Sequence, residues 1–173
     1  QGYSSAASDV YKRQTTSSNN IVIVSGYVGY QTIKMLCEQC CDVRITVVYG
    51  MYGSERISLP LHQALMEVQR QYSNITILYS TIPVHSKIYT WNCDAKIEKA
   101  LVGSANFSIS GMMNDYKEVL SDVGLDTYDI LKEYCDYVLS KAISCNNVDV
   151  KFKKVFKASG HSKLVQPLLA KNV

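Results

Sequence analysis

Ile21-Val22-Ile23-Val24 is a run of four β-branched apolar residues that stops at Ser25-Gly26. A continuous apolar run this short, ended by a turn signal, predicts a strand buried on both faces. Arg44 to Tyr49 repeats the signature and stops at Gly50, and Ile75 to Tyr79 repeats it again. Between these runs the period changes. Gln31 to Gln39 predicts a short helix. After the helix-start residues Ser58 and Pro60, Leu61, Ala64, Leu65, Val68 and Tyr72 recur at helical spacing. Ile88-Tyr89-Thr90-Trp91 and Ala100-Leu101-Val102 are two more strand-like runs, separated by the polar turn Asn92 to Lys96. Asp126 opens a last helix, with Tyr128, Leu131, Cys135, Val138, Leu139 and Ala142 on one face and an end expected near Asn146-Asn147. Two alternations of strand and helix, then a run of strands, predict an α/β fold with a parallel or mixed sheet.

The length of 173 residues suits one domain with a real core, and 47% hydrophobic against 19% charged residues is a globular balance. A formal charge of +3 is too small to imply nucleic-acid binding by itself, so any affinity for phosphate must come from local placement. No apolar run approaches the ~18 residues needed to span a bilayer, and no signal-peptide pattern opens the chain. A cytoplasmic protein without a membrane partner is expected.

The candidate chemistry lies between His85 and Glu118. Strand alternation puts His85 and Lys87 on one face, and the same period puts Ser104 and Asn106 on one face past the end of the next strand. A nucleophile, a cation and two neutral hydrogen-bonding groups can converge on one small anion. Glu118 can supply the carboxylate that fixes an imidazole tautomer. This set of groups suits phosphoryl chemistry.

His85-x-Lys87, Gly103-Ser104-x-Asn106 and the acidic Glu118 together resemble the active-site motif of the phospholipase D superfamily. Where that motif often carries an Asp five residues after the Lys, this chain has Asn92, which implies the nuclease branch rather than the lipid-hydrolysing ones. Ser25-Gly26-Tyr27, Gly50-Met51-Tyr52 and Val102 to Ser108 are similar to the restriction endonucleases of the NgoFVII type. The resemblance implies a mixed sheet flanked by helices on both faces. It also implies a metal-independent phosphodiesterase acting on DNA, without a cofactor. His85 would attack phosphorus to form a phosphohistidine, Lys87, Asn106 and Ser104 would hold the non-bridging oxygens, and Glu118 would orient a histidine ring. A single His cannot stand on both sides of the phosphorus, so a homodimer sharing one site is expected. A lipid-acting phospholipase D-like or phosphatidyl-transferring enzyme is the first alternative, and a non-catalytic nucleic-acid-binding module the second.

Other features of the chain have plainer readings. Cys37-x-x-Cys40 has half of a zinc spacing but nothing to complete it, so these cysteines are expected to be small buried residues. His62 is expected on an exposed helix face. Asp94, Glu98, Asp115 and Glu118 are the only carboxylates near the motif and do not form a magnesium-nuclease pattern. The basic residues from Lys151 to Lys163 suit either a solvated segment or contact with a DNA backbone, and His161-Ser162-Lys163 repeats the tripeptide without its partner motif. Residues 1–14 include Asp9 to Gln14, which one reading frame of a transposon-end sequencing adapter encodes, and are set aside from the fold. Residues 15–155 are expected to be the catalytic domain. Residues 156–173 are expected to be a linker toward a missing C-terminal DNA-recognition domain.

Overall fold

The computed structural model describes Val10 and residues 18–113 and 118–154. The three β-branched runs become Asn20–Ser25 (β1), Arg44–Tyr49 (β2) and Ile75–Ser80 (β3). They lie parallel, β1 against β2 and β2 against β3. Between them run helices Tyr30–Gln39 (α1), Tyr52–Glu55 (α2) and Leu59–Gln71 (α3). The start signal of α3 works as its residues suggest: Ser58 accepts from the Leu61 N–H at 3.4 Å, and Pro60 sits where no amide proton is needed.

The chain then returns to the other side of β1. Lys87–Cys93 (β4) pairs antiparallel with β1, and Lys96–Gly103 (β5) pairs antiparallel with β4. Leu120–Asp122 (β6) closes one edge and Ala142–Ser144 (β7) the other. Among the described residues the sheet has seven strands in the order β6-β5-β4-β1-β2-β3-β7. Ile109–Met113 (α4) follows β5, and Tyr128–Ser140 (α5) follows β6.

Strand alternation divides the core in two. Ile21, Ile23, Ile45, Val47, Ile75 and Ile77 face Ile33 and Leu36 of α1 and Leu65 and Val68 of α3. Val22, Val24, Val48 and Ile88 face Cys135 and Val138 of α5. Each such side chain contributes roughly 1.5–3 kcal/mol on burial. The sheet is therefore mixed and covered by helices on both faces, as the resemblance implied. Val10, within the segment set aside, is 1% exposed and belongs to the larger cluster.

Three expectations are corrected. The last helix ends at Ser140, not near Asn146-Asn147, and Ala142 leaves it for β7. The free edge of β3 needs hydrogen-bond partners, and Thr81 binds the Lys141 carbonyl through both its N–H (2.8 Å) and its hydroxyl (2.6 Å), drawing the chain out of the helix. Asp126 lies in a 3-10 turn, Leu125–Thr127, ahead of that helix rather than capping it. His62 is half-buried: its Nδ1 is 3.0 Å from the Tyr79 hydroxyl and its ring packs edge-on to Phe152. Of the cysteines, Cys37 and Cys40 are buried as expected, whereas Cys41 is exposed. Burial pushes the Cys37 thiol up to about 12, which keeps it protonated and inert.

Candidate active site

Because β1 and β4 are antiparallel, the last residue of β1, Ser25, stands opposite the first of β4, Lys87. This is the carboxyl end of the parallel strands, at the strand where the chain reverses its direction across the sheet. That location is where α/β sheets leave a crevice. Lys87 lies on the face shared with Tyr89 and Trp91 and is only 6% exposed, while His85, two residues earlier, is exposed. The Lys87 Nζ donates to the His85 carbonyl oxygen (2.7 Å) and stands 3.1 Å from both ring nitrogens. Burial holds the Lys87 ammonium below the ordinary lysine range, with the negative charge of Glu118 acting in the opposite sense.

Gly26 forms the floor. A Cβ there would lie 2.8 Å from His85 Cδ2 and 3.4 Å from Asn106 Oδ1, so the backbone approaches both side chains as only glycine permits. The Tyr27 N–H donates to Asn106 Oδ1 at 3.1 Å. That bond fixes the amide's orientation and leaves its NH2 group as the donor available to a ligand. The fully buried Ser25 ties the two loops together: its Oγ donates to the Tyr27 carbonyl (2.7 Å) and accepts from the Phe107 N–H (2.9 Å).

Ser104 and Glu118 meet across β5 and the lead into β6. The Ser104 hydroxyl donates to Glu118 Oε2, and its oxygen accepts from the Val119 N–H at 3.1 Å. Gly103 makes this approach possible, since a Cβ there would fall 1.8 Å from the Val119 carbonyl oxygen. Among the described residues Glu118 is bonded to Ser104 rather than to His85. A serine has one hydroxyl proton, so Ser104 cannot give it to Glu118 and to a bound phosphate at once.

All five candidate residues thus lie at one end of the sheet. His85 touches Lys87, His85 and Asn106 both pack over Gly26, and Ser104 holds Glu118. Asn92 is elsewhere: it is buried near the far end of β4 and bonds Thr90 Oγ1 at 3.1 Å. Sequence reasoning missed Tyr27 and Glu55. The Tyr27 ring stands edge-on to His85, centroids 6.1 Å apart, and its hydroxyl donates to Glu55 Oε1 at 2.6 Å. Lys153 donates to the other oxygen at 2.8 Å. The bonds from Lys153 and Tyr27, with the charge of His85 in the same sense, hold the Glu55 carboxyl below its usual range. The tripeptide Ser25-Gly26-Tyr27 at a strand end was a usable signal for Tyr27; nothing in the local sequence marked Glu55.

Among the described residues no three His, Cys, Asp or Glu side chains gather as a metal site, and no helix is long and apolar enough to cross a membrane. Asp115, His161 and Lys163 fall outside the described residues.

Residues 6–152 match the family described as the NgoFVII restriction endonuclease N-terminal PLD domain. Among solved structures, NucT from Helicobacter pylori is similar with a TM-score of 0.59 at 14% identity, over 80% of this chain and 90% of that one. A phospholipase D family member, Nuc from Salmonella typhimurium, gives 0.55 at 12% identity, over 78% and 87%. No match was found among the curated proteins.

Proposed function

Since the chain belongs to the family of NgoFVII restriction endonuclease N-terminal PLD domains, a nuclease domain of the phospholipase D superfamily, we propose that it cleaves DNA without a metal ion through a covalent phosphohistidine. The observation that carries this reading is the exposed His85 imidazole in contact with the buried Lys87 ammonium, beside an Asn106 whose NH2 is aimed by the Tyr27 N–H.

A ring nitrogen of His85 attacks the scissile phosphorus. A P–N bond forms, one P–O ester bond breaks, and the leaving oxygen takes a proton from an acid on the opposite side. Water then attacks phosphorus and gives its proton to the group that served as the acid, the P–N bond breaks, and the imidazole is regenerated. Lys87 and Asn106 hold the non-bridging oxygens, where negative charge builds in the transition state. Ser104, its proton committed to Glu118, acts by positioning that carboxylate.

The acid is assigned to His85 of a second copy, and the surface beside the site supports pairing. Ile130, Tyr134 and Tyr137 recur at helical spacing on the outer side of α5 and are 66%, 36% and 53% exposed. The Tyr134 hydroxyl is 3.0 Å from Ser86 Oγ, between His85 and Lys87. An exposed apolar stripe whose middle residue reaches Ser86 suits a two-fold contact.

The test is cleavage of supercoiled plasmid in excess chelator by wild type, by His85→Ala, and by dimers mixed from the two. Wild type is expected to cut, with both the variant and the mixed dimers inactive. Cutting only when magnesium is restored would refute the metal-independent mechanism, and active mixed dimers would refute the shared site.

A further inference from the structure

Lys151 to Lys154, the described part of the basic segment, are exposed but hydrogen-bonded to the chain around α2. The Lys151 N–H donates to the Tyr52 hydroxyl at 2.8 Å, the Ile57 N–H to the Lys151 carbonyl at 3.4 Å, and the Lys153 N–H to the Ile57 carbonyl at 2.8 Å. These bonds pair Phe152 with Ile57 as a parallel bridge, and the Phe152 ring is held edge-on by His62, centroids 5.2 Å apart. An open groove of about 540 Å³ lies between this segment and the end of α2, lined by Glu55, Arg56, Lys151, Phe152, Lys153 and Lys154. Its four cations and one carboxylate give a formal +3, as much as the entire chain carries.

Two details set this groove apart. Arg56 keeps its side chain at this groove with φ 66° and ψ −171°, a backbone region that glycine enters freely and arginine does not. Among the described residues, Arg56, Lys151 and Lys154 make no ion pair, although exposed carboxylates occur elsewhere on the surface. The groove also connects to the site. Glu55 is bonded to Lys153 on one side and to Tyr27 on the other, and the Tyr27 ring packs against His85.

We propose that this groove is a flanking-phosphate subsite, which holds the sugar-phosphate backbone of the DNA substrate beside the scissile phosphate. The inference rests on the reading of the protein as a DNA nuclease and adds to it a surface outside the five-residue centre. Lysine and arginine contacts to phosphate are sequence-blind, so the subsite supplies affinity and direction rather than recognition of bases.

The experiment compares His85→Ala with the same variant carrying Arg56→Gln, Lys151→Gln and Lys154→Gln, binding a 20-bp duplex by fluorescence anisotropy over a salt series. In the His85→Ala background, affinity at 100 mM salt is expected to fall at least tenfold. The slope of log affinity against log salt is expected to shrink by about 0.9 for each phosphate that the protein ceases to neutralise. With His85 restored, kcat/KM on the duplex is expected to fall with affinity. Turnover of bis-p-nitrophenyl phosphate, which spans only the scissile position, reports whether the centre survives and is expected to move less than twofold. Arg56→Gly guards against misfolding: it relieves the backbone, so Tm is expected to hold or rise while duplex affinity drops. Unchanged affinity and slope in a chain that binds and cuts DNA would overturn the subsite alone. A parent chain that turns over the small diester but neither binds nor cuts DNA would overturn the nuclease reading, and the subsite with it.

Discussion

Gly26 sets how closely β1 can approach His85. Its replacement by alanine puts a methyl group 2.8 Å from His85 Cδ2, and the exposed His85 ring can move away without disturbing the core. Gly26→Ala is therefore expected to leave Tm nearly unchanged and to lower kcat on the order of 100-fold, the cost of a misplacement near 1 Å; unchanged turnover would show that His85 is not held by this floor. Lys87 makes a prediction in pH. In the proposed mechanism only its ammonium form holds phosphate, and burial lowers its affinity for the proton, so the alkaline limb of kcat/KM should begin below the ordinary lysine range. Below the unfolded value of 10.5 the unfolded chain binds more protons at this residue than the folded one. Its contribution to stability thus rises with pH through the window in which activity is lost. Lys87→Arg, which stays charged, should retain some activity and lose that limb; an identical limb in the variant would assign it to another group. His85 and Lys87 were legible because a spacing of two on a strand has one geometric consequence. The Tyr27–Glu55–Lys153 chain was not, because its members are far apart in sequence and meet only through the sheet.

The two loops that carry the site are fastened by one buried hydroxyl. Ser25→Ala removes the acceptor of the Phe107 N–H and the donor to the Tyr27 carbonyl. Leaving such buried groups unpaired costs about 1–3 kcal/mol, so urea unfolding should show a loss of that size, with activity falling further because Asn106 loses its aim. A change under about 0.5 kcal/mol, below the range for an unpaired buried group, would mean that water replaces the hydroxyl. At this scale the long periodic elements were readable: Arg44–Tyr49 is a strand with the bounds its residues suggest, and Leu59–Gln71 begins at its cap. The short ones were not. The helices Tyr52–Glu55 and Ile109–Met113 are too brief to show a period, and Ala142–Ser144 is a strand only because the edge of β3 offers it a ladder. Pairing decided that segment against its helical pattern.

For the whole molecule, the α/β class followed from the order of apolar runs and helical periods, and the mixed sheet flanked by helices on both faces from the resemblance. That the candidate site lies where β4 reverses the chain's course across that sheet is seen only in the structure. What remained hidden was where Lys151 to Lys154 lie, because Phe152 is anchored by a bridge to Ile57 and the pairing of Lys153 with Glu55 is long-range. The groove that results, the centre over Gly26 and the apolar stripe on α5 all serve one proposed event, displacement at phosphorus by His85. The direct test is a denaturing gel of the chain mixed with end-labelled DNA, quenched at alkaline pH where a phosphoramidate survives, with chelator present throughout. The account predicts a labelled protein–DNA adduct that maps to His85 and is absent from His85→Ala. DNA cut at full rate with no adduct at any time, or an adduct that persists in His85→Ala, would contradict it.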